Sequence, residues 1–298
     1  MNQNNTCCII VTYNPSRHRI LETISSVLFN GVKVILVDNG SANILEFERE
    51  IRSMPGVDFM PLGENLGIAK AQNLGIASAL KDGFDFIWLS DQDTTYPTDY
   101  VEKMGRVLLS ISDEKNLAAL GPLYVDTNQG TPQLLVRYAP FKQTFAAEKG
   151  INEVDEIIAS GTVIPSSAIK KVGLMNENLF IDMVDLEWCW RAKRIHKMRI
   201  LVAAEVCITH TLGDVSIHVR GKTFVLRSPI RHYYMVRNTL ALSLYSRSLS
   251  MAQKVEFAVK AIRWAFIYPL AVRERRLTHL SRTLLGLAHG LVNRLGPL

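Results

Sequence analysis

The sequence predicts an α/β fold in which a mainly parallel sheet is flanked by helices and followed by a basic helical region. Three observations lead to this prediction. Apolar runs of strand length alternate with helical patterns over residues 7–89, residues 120–165 show shorter alternating patterns, and residues 229–298 are helical in pattern and rich in Arg. Strands separated by helices form βαβ units, whose strands lie parallel in one sheet.

Each element follows from a local pattern. Continuous apolar runs predict buried strands at Cys7–Val11, Val32–Val37 and Phe84–Leu89, with a weaker strand at Val57–Phe59. The intervening stretches predict helices at Ile20–Phe29, Leu45–Ser53 and Ile68–Leu80. We expect antiparallel or mixed strands within 120–165 and another strand at Arg199–Ile208. The chain would then divide into an α/β domain, 1–228, and a helical region, 229–298.

Composition limits the classes of protein that fit. With 48% hydrophobic and 21% charged residues, the chain has enough apolar material for a core and is not generally disordered. Its four cysteines form no CxxC pair, which argues against a zinc knuckle and favours a reducing compartment. There is no basic-then-apolar leader and no apolar run of about 18 residues. We therefore expect a cytoplasmic protein.

The charge is unevenly distributed. The whole chain has a net charge of +6, yet Arg220–Leu298 holds 14 Lys and Arg against two Glu. Such a segment favours an anionic partner, which could be nucleic acid, a membrane surface or a phosphate-bearing substrate. Large apolar residues lie among these cations, as an amphipathic helix on an anionic membrane requires. A helical subdomain that packs on the core and a dimer contact are the alternatives.

Polar clusters follow three of the predicted strands: Thr12-Tyr13-Asn14, Asp38-Asn39-Gly40-Ser41 and Asp91-Gln92-Asp93. Ligands of open α/β sheets bind beyond the carboxyl ends of the strands, so these clusters predict a site. The pair Asp91 and Asp93 suits a hard cation such as Mg²⁺ or Mn²⁺. The alternative is a solvated turn that caps the next helix. Asp38 could accept hydrogen bonds from a base or ribose, or could simply form a turn.

Two further segments carry candidate chemistry. Small residues around Gly67 and Gly75 would let a helix approach either a phosphate or the sheet. Asp182, Asp185 and Glu187 lie among large apolar residues, which would raise the pKa of a carboxyl group and suit it to act as a general base. Otherwise they are surface acids, with Asp185 as a helix N-cap.

Taken together, these strings resemble glycosyltransferase family 2, whose members are inverting enzymes of the GT-A fold. The matching strings are Val11-Thr12-Tyr13-Asn14, Val37–Ser41, the run Asn65-x-Gly67-x-Ala69-x-Ala71-x-Asn73-x-Gly75, Asp91-x-Asp93, Ser160-Gly161 and Asp185-x-Glu187-x-x-x-Arg191. Finer strings resemble the rhamnosyltransferase branch: Ser90–Thr94, Phe180–Asp182, His210–Asp214 and Arg231-x-Tyr233-Tyr234-x-x-Arg237-Asn238.

The resemblance implies transfer of L-rhamnose from dTDP-L-rhamnose to a saccharide, carried on a lipid, in the synthesis of O-antigen or another cell-surface polysaccharide. It implies a divalent cation, peripheral contact with the inner face of the cytoplasmic membrane and no nucleic-acid partner, and it leaves the oligomeric state open. The alternatives are another UDP- or GDP-sugar, a polyprenyl-phosphate acceptor, or a basic nucleic-acid-binding protein. A nucleotidyltransferase would need a Gly-rich loop in place of Thr12–Pro15.

The resemblance also implies residue roles. Thr12, Tyr13, Asn14 and Asp38 would hold the base and ribose, Asn65, Lys70 and Asn73 would lie near the nucleotide phosphates, and Asp91 would touch the ribose or sugar. Asp93 would bind the cation, and His210 either completes this site or is structural. Asp185 would be the catalytic base, with Asp182 as alternative because many members carry Glu-Asp where this chain has Val184-Asp185. The acceptor and diphosphate region would comprise Ser160, Gly161, Asp182, Glu187, Arg191, Arg231, Tyr234 and Arg237.

Overall fold

The computed structural model describes residues 1–111, 114–126, 131–210, 216–219, 222–225, 227–272 and 274–298. The strands are β1 (Thr6–Thr12), β2 (Lys33–Asp38), β3 (Val57–Pro61), β4 (Phe86–Ser90), β5 (Thr94–Thr95), β6 (Leu117–Asp126), β7 (Leu135–Tyr138), β8 (Lys142–Phe145), β9 (Ile151–Val154), β10 (Thr162–Pro165), β11 (Arg199–His210), β12 (Ser216–Val219) and β13 (Lys222–Val225). The helices are α1 (Arg17–Phe29), α2 (Glu48–Ser53), α3 (Ile68–Lys81), α4 (Tyr100–Ser110), α5 (Ser166–Val172), α6 (Val184–Arg194), α7 (Pro229–Tyr245), α8 (Met251–Ala271) and α9 (Arg276–Leu291).

The main sheet has the strand order β3-β2-β1-β4-β10-β6-β11-β5, with β9 paired to β11. Strands β3, β2, β1 and β4 are parallel, as the βαβ pattern predicts. Strand β10 is antiparallel to both of its neighbours, and β6 and β11 are again parallel. The predicted α/β class is therefore confirmed, and the part of the sheet formed by β10, β6 and β11 is mixed.

The core forms an apolar layer on each face of this sheet. Along β1, Ile9 belongs to the layer that contains α3 and α6, whereas Ile10 belongs to the layer that contains α1 and α4. Both faces of β1 are thus buried, which explains its continuous apolar sequence. A Cβ added at Gly75 of α3 would lie 2.6 Å from Cγ2 of Ile9, so this glycine serves close packing of the helix on the sheet.

Helices α7, α8 and α9 pack against one another in the carboxyl-terminal region. Gly286 and Gly290 of α9 lie directly on α7, since a Cβ there would come within 2.7 Å of the Tyr233 carbonyl oxygen and 2.8 Å of the Arg237 carbonyl oxygen. A capping box formed by Ser250 and Gln253 begins α8. Within the described ranges, no helix is both long and apolar enough to cross a bilayer.

The boundary at 228/229 stays a prediction, and contacts cross it. Asn238 of α7 donates hydrogen bonds to carbonyl oxygens at 179, 181 and 182, just before α6. Helix α7 is buried over much of its length. The helical region is therefore packed on the α/β part of the chain.

Candidate active site

The carboxyl ends of β1, β2 and β4 meet at one edge of the sheet, because these strands are parallel and adjacent. In register, Thr12 of β1 lies beside Asp38 of β2. The side-chain oxygen of Gln92 accepts hydrogen bonds from the Thr12 hydroxyl and from the Tyr13 backbone N–H, both at 2.8 Å. The three predicted polar clusters are thus brought together, and Gln92 joins two of them.

Asp38 is buried at this edge with one oxygen unused. Its side chain is 2% exposed, and Oδ2 accepts the Ser41 backbone N–H at 3.1 Å. Oδ1 has no hydrogen-bond partner among the described residues. A buried carboxylate oxygen is normally satisfied, so this one is available to a donor group from a ligand.

Tyr13 and Asn14 form the adjoining loop. The Tyr13 side chain is 46% exposed, which leaves its ring free to stack on a flat ligand. Asn14 has a positive φ of 47°, and its backbone N–H donates to the Ser41 hydroxyl at 2.8 Å. Its side-chain oxygen accepts the Ala42 N–H at 2.8 Å. Asn14 therefore shapes the loop between the first two clusters.

Asn65 orders the turn that leads into α3. Its side-chain oxygen accepts hydrogen bonds from the amide of Asn39 at 2.9 Å and from the backbone N–H of Gly67 at 3.0 Å. Gly67 has a φ of 85°, and a Cβ there would lie 2.5 Å from Cδ2 of Phe180. The first turn of α3 therefore lies against the segment around Phe180.

Lys70 and Asn73 both engage the segment before Phe180. The ammonium group of Lys70 lies 2.9 Å from the carboxylate of Glu177, and both side chains are partly exposed. The buried Asn73 amide donates to the Met175 carbonyl and to Glu177, at 3.0 and 2.9 Å. Both of its N–H groups are thus used within the fold. The structure does not bring Asn73 to the strand-end edge, whereas Lys70 remains accessible.

Asp91 and Asp93 follow β4 directly, and Ser160 and Gly161 lie beside them. The hydroxyl of Thr94 is 2.7 Å from that of Ser160, and the Gly161 N–H donates to the Leu89 carbonyl at 2.9 Å. Strand β5 follows the two acids, and α4 begins only at Tyr100, so the alternative that they cap a helix is wrong.

The backbone of His210 pairs with Thr94, which brings it beside the two acids. The His210 side chain and residues 211–215 lie outside the described residues. Among the described residues, no group of three His, Cys, Asp or Glu side chains could hold a metal ion. Two carboxylates still fit a hard cation that takes its other ligands from water and from a diphosphate.

Asp185 lies in the first turn of α6, and its oxygens accept the backbone N–H groups of Leu186 at 2.9 Å and Ala159 at 3.1 Å. The N-cap is Met183, so the alternative of Asp185 as N-cap is wrong. Although part of its surface is exposed, burial of the carboxylate raises the pKa of Asp185 to about 6. The negative charge of Asp91 raises this pKa further. The Ala159 N–H that Asp185 accepts is adjacent to Ser160, whose hydroxyl is 2.7 Å from that of Thr94, so Asp185 lies close to the turn that carries Asp91 and Asp93.

Asp182 has a different environment. Oδ1 of Asp182 accepts a hydrogen bond from Nη2 of Arg231 at 2.6 Å, and the Asp182 side chain is 13% exposed. The Asp182 carboxylate is thus engaged by a side chain of α7, whereas that of Asp185 accepts backbone N–H groups.

Several predicted site residues lie away from the strand-end edge. Glu187 and Arg191 form an ion pair at 3.1 Å, and Arg191 also donates to the carbonyl oxygens of Val172 and Leu174. They therefore fasten α6 to the end of α5. Tyr234 and Arg237 are 3% and 0% exposed, and both pack inside the fold. These four side chains leave little surface for a diphosphate or an acceptor.

The structure shows what three further residues of the sequence motifs bind. Gln92 stands between the two acids in the Asp91-Gln92-Asp93 string, and its amide joins two strand ends. Asn39 likewise links the second cluster to Asn65. Asn238 reaches the segment before α6 from α7. A single amide side chain gives no periodic signal, so only the position of Gln92 between two acids could have indicated its role.

The mixed sheet with helices on both faces is that of the GT-A fold, as the similarity to solved glycosyltransferase structures shows. Two solved structures are similar to the chain. Staphylococcus aureus TarS 1–349 in complex with UDP-GlcNAc has a TM-score of 0.58 and 18% identity, over 96% of this chain and 81% of that chain. GalNAc-T7 with UDP, GalNAc and Mn²⁺ has a TM-score of 0.57 and 11% identity, over 91% of this chain and 58% of that chain. At these identities the likeness shows the fold alone.

The family model described as glycosyl transferase family 2 matches residues 7–162. That match covers more than half of the sequence, and the chain belongs to this family of glycosyltransferases. It is 27% identical over 292 residues to the dTDP-rhamnosyl transferase RfbF of Shigella flexneri, covering 97% of this chain and 96% of that protein. It is 21% identical to the low-salt glycan biosynthesis hexosyltransferase Agl10 of Haloferax volcanii, covering 97% and 91%.

Proposed function

We propose that this glycosyltransferase inverts the sugar as it transfers L-rhamnose from dTDP-L-rhamnose to a saccharide carried on a lipid, with the help of a divalent cation. The observation that carries the proposal is the position of Asp185, which accepts the N–H of Ala159, next to Ser160, and so lies beside the Asp91–Asp93 turn at the donor edge. The likeness to a protein named dTDP-rhamnosyl transferase supports the choice of donor.

The strand-end residues would hold the nucleotide. The unpartnered Oδ1 of Asp38 would accept an N–H of the base or a ribose hydroxyl, and the exposed Tyr13 ring would stack on the base. Thr12, Asn14 and Asn65 would shape this pocket through the hydrogen bonds described above. Lys70 would face the phosphates in exchange for part of its ion pair with Glu177.

Asp93 and His210 would be the protein ligands of the cation. Asp91 would lie near the ribose or sugar. Carboxylate and imidazole ligands suit Mn²⁺, and carboxylates alone suit Mg²⁺. When bound, the cation would stabilise the negative charge that develops on the departing diphosphate.

Asp185 would act on the acceptor. Its carboxylate takes the proton of an acceptor hydroxyl while that oxygen forms a bond to the anomeric carbon. The bond between this carbon and the diphosphate oxygen breaks, and its electron pair leaves with dTDP. A single displacement of this kind inverts the anomeric configuration, and a base with a pKa near the working pH suits the proton transfer.

A thermal-shift panel tests the donor. The panel contains dTDP-L-rhamnose, UDP-glucose, UDP-galactose, UDP-GlcNAc and GDP-mannose, each with Mn²⁺, with Mg²⁺ and with EDTA. A ligand that binds only the folded state raises the melting temperature. We expect a shift with dTDP-L-rhamnose that EDTA reduces. A shift with another donor alone would overturn the rhamnosyl assignment, and no shift with any donor would overturn the proposed reaction.

The exposed face of α8 supports peripheral membrane contact. Six apolar side chains, each 50–75% exposed, repeat every three or four residues and so line one side of the helix: Met251, Val255, Val259, Ile262, Phe266 and Leu270. This stripe is roughly 30 Å long at 1.5 Å per residue. Residues 229–298 contain 11 Lys and Arg and only two Glu. We therefore infer that the stripe lies on an anionic lipid surface, which a lipid-carried acceptor would require.

Flotation with vesicles tests this contact. We expect the intact protein to float with vesicles that contain phosphatidylglycerol, and the double variant Val259→Ser and Phe266→Ser to remain in the soluble fraction. The matched control is Leu109→Ser, since Leu109 is 86% exposed on the distant helix α4. Equal flotation of all three proteins would overturn the inference. Loss of a dimer in sedimentation, without any flotation of the wild type, would show that the stripe is instead an interface between two copies.

A further inference from the structure

The segment that leads into α6 has an unusual backbone. Phe180, Asp182 and Met183 have positive φ angles of 66°, 64° and 68°, in a region that residues other than glycine seldom adopt. Helix α6 begins at the next residue, Val184, and Asp185 lies in its first turn. Such conformations persist only where the surrounding structure holds them in place.

Asn238 of α7 stabilises part of this backbone. It is fully buried, and its side-chain amide nitrogen donates to the carbonyl oxygens of Leu179, Ile181 and Asp182 at 2.9, 2.9 and 3.0 Å. An amide group has only two N–H hydrogens, so one of them is shared between two acceptors. One side chain thus fixes the direction of three carbonyl groups within four residues.

Arg237 stabilises the same segment through further hydrogen bonds. Its guanidinium donates to the carbonyl oxygens of Asn178 and Leu179 at 3.3 and 3.0 Å, and its Nε donates to the side-chain oxygen of Asn238 at 2.9 Å. It also donates to the carbonyl oxygen of Gly296, and its side chain is 0% exposed. A buried cation that is surrounded by carbonyl oxygens and by Asn238 is committed to the fold.

We propose that Arg237 and Asn238 are positioning residues, which hold the carbonyl groups of residues 178–182 so that the first turn of α6 presents Asp185 to the acceptor. We call these two side chains the carbonyl clamp. The proposal rests on the proposed function in one respect, the role of Asp185 as the base. The ion pair between Arg231 of α7 and Asp182 acts on the same segment.

The clamp touches the base side of the site and not the donor side. The clamp side chains contact residues 178–182 and 296 and none of the proposed nucleotide ligands, which follow β1, β2 and β4 or lie at Asn65 and Lys70. Loss of the clamp should therefore lower kcat and leave the KM for the donor nearly unchanged. It should also admit water to Asp185, which would move the acid limb of the pH–rate profile to lower pH.

The test compares two clamp variants with a packing control. Asn238→Asp removes both N–H donors at almost the same volume and keeps the oxygen that faces Arg237, and Asn238→Ala removes the amide without adding charge. Val236→Ala is the matched control, because Val236 is a fully buried residue of α7 that packs on Gly286 of α9. Hydrogen exchange is measured at residues 178–186, and turnover is measured as release of dTDP from dTDP-L-rhamnose with Mn²⁺.

We expect exchange at residues 178–183 to rise at least tenfold in both clamp variants and to stay unchanged in Val236→Ala. In the clamp variants kcat should fall at least tenfold, with the donor KM within a factor of two. Unchanged exchange, or faster exchange with wild-type kcat, would overturn the clamp. If the wild type turns over no nucleotide sugar, the proposed function has failed, and the exchange experiment alone still decides whether the clamp holds this segment.

Discussion

At the scale of single residues, the choice between two acids depends on contacts that are distant in sequence. Asp182 and Asp185 are three residues apart, and spacing alone left both as candidates for the base. The partner of Asp182, Arg231, lies 49 residues away, and the Ala159 N–H that Asp185 accepts lies 26 residues away. Neither contact can be inferred from the local sequence. The sequence could therefore indicate the segment that contains the base, but not which of the two acids it is.

The raised pKa of Asp185 predicts a pH dependence. A general base accepts a proton only when it is ionised, so activity should rise as the pH increases through the pKa of about 6. An ordinary aspartate would give this rise near pH 4. The measurement is kcat/KM for the nucleotide sugar between pH 4.5 and 8, in buffers of constant ionic strength. An acid limb near pH 4 would contradict the assignment of Asp185 as the base.

Gly67 offers a second prediction, with Gly63 as its matched control. Both have a positive φ, 85° and 76°, but a Cβ at Gly67 would lie 2.5 Å from Phe180, whereas nothing lies within 4 Å of one at Gly63. Gly67→Ala should therefore destabilise the protein by about 1–3 kcal/mol more than Gly63→Ala, a usual cost of overpacking. Urea unfolding measures both variants. Equal losses would show that the contact between α3 and Phe180 is not tight.

Helix geometry explains why two residues that the family spacing placed in the site do not lie there. An α-helix turns 100° per residue, so Glu187 and Arg191 lie about 200° and 240° around α6 from Asp185. The spacing that matches a family pattern thus also places these two side chains on the opposite face, where they reach α5. The family resemblance implied that Arg237 borders the diphosphate or the acceptor, yet this side chain is buried and donates to backbone carbonyl oxygens.

At the scale of elements, apolar pattern predicted the strands that are buried on both faces. The runs at Cys7–Val11, Val32–Val37 and Phe84–Leu89 largely coincide with β1, β2 and β4, and Ile68–Leu80 coincides with α3. The short strand β10 could not be placed, because its four residues lie antiparallel between two strands that are distant in sequence. Strand order of that kind is decided by tertiary packing and leaves no local pattern.

The contact between α7 and α9 predicts a pH-dependent stability. Nε2 of the buried His232 accepts the Arg227 N–H at 3.2 Å, so its Nδ1 carries the hydrogen that bonds Nδ1 of His279 at 2.8 Å. Burial lowers the pKa of His232 to about 3, and the pKa of His279 is also lowered. The unfolded chain binds these protons near pH 6.5. Stability from the pair is therefore present above pH 6.5 and is lost progressively as the pH falls toward 3.

Thermal unfolding from pH 8 to pH 5 measures this effect. As the pH falls, the free energy of unfolding of the wild type should decrease more steeply than that of His232→Phe, by about 1.4 kcal/mol per pH unit for one fully shifted group. The melting temperature of the wild type should therefore fall more steeply as well. His18→Gln is the control, since the side chain of His18 is 88% exposed. Parallel slopes for the wild type and His232→Phe would show that the histidine pair does not need to be neutral.

At the scale of the whole molecule, the order of the strand-end motifs predicted both fold and family. The parallel half of the sheet brings Thr12, Asp38 and Asp91 to one edge, as the rule for open α/β sheets requires. The carboxyl-terminal helices were predicted as helices, but their contacts with residues 178–182 were not. The helical region contacts the segment that precedes Asp185, the proposed base.

The most direct test of the proposed mechanism removes the base and keeps the donor site. Asp185→Asn is compared with the wild type and with Asp182→Asn in two measurements. The first is the thermal shift that the donor causes, and the second is the release of dTDP from dTDP-L-rhamnose with Mn²⁺, with water as the acceptor. We predict that Asp185→Asn binds the donor as the wild type does but releases dTDP at least about 100-fold more slowly, a usual contribution of a general base. Release by Asp185→Asn at a rate close to that of the wild type would contradict the mechanism, and loss of release in Asp182→Asn alone would move the base to Asp182.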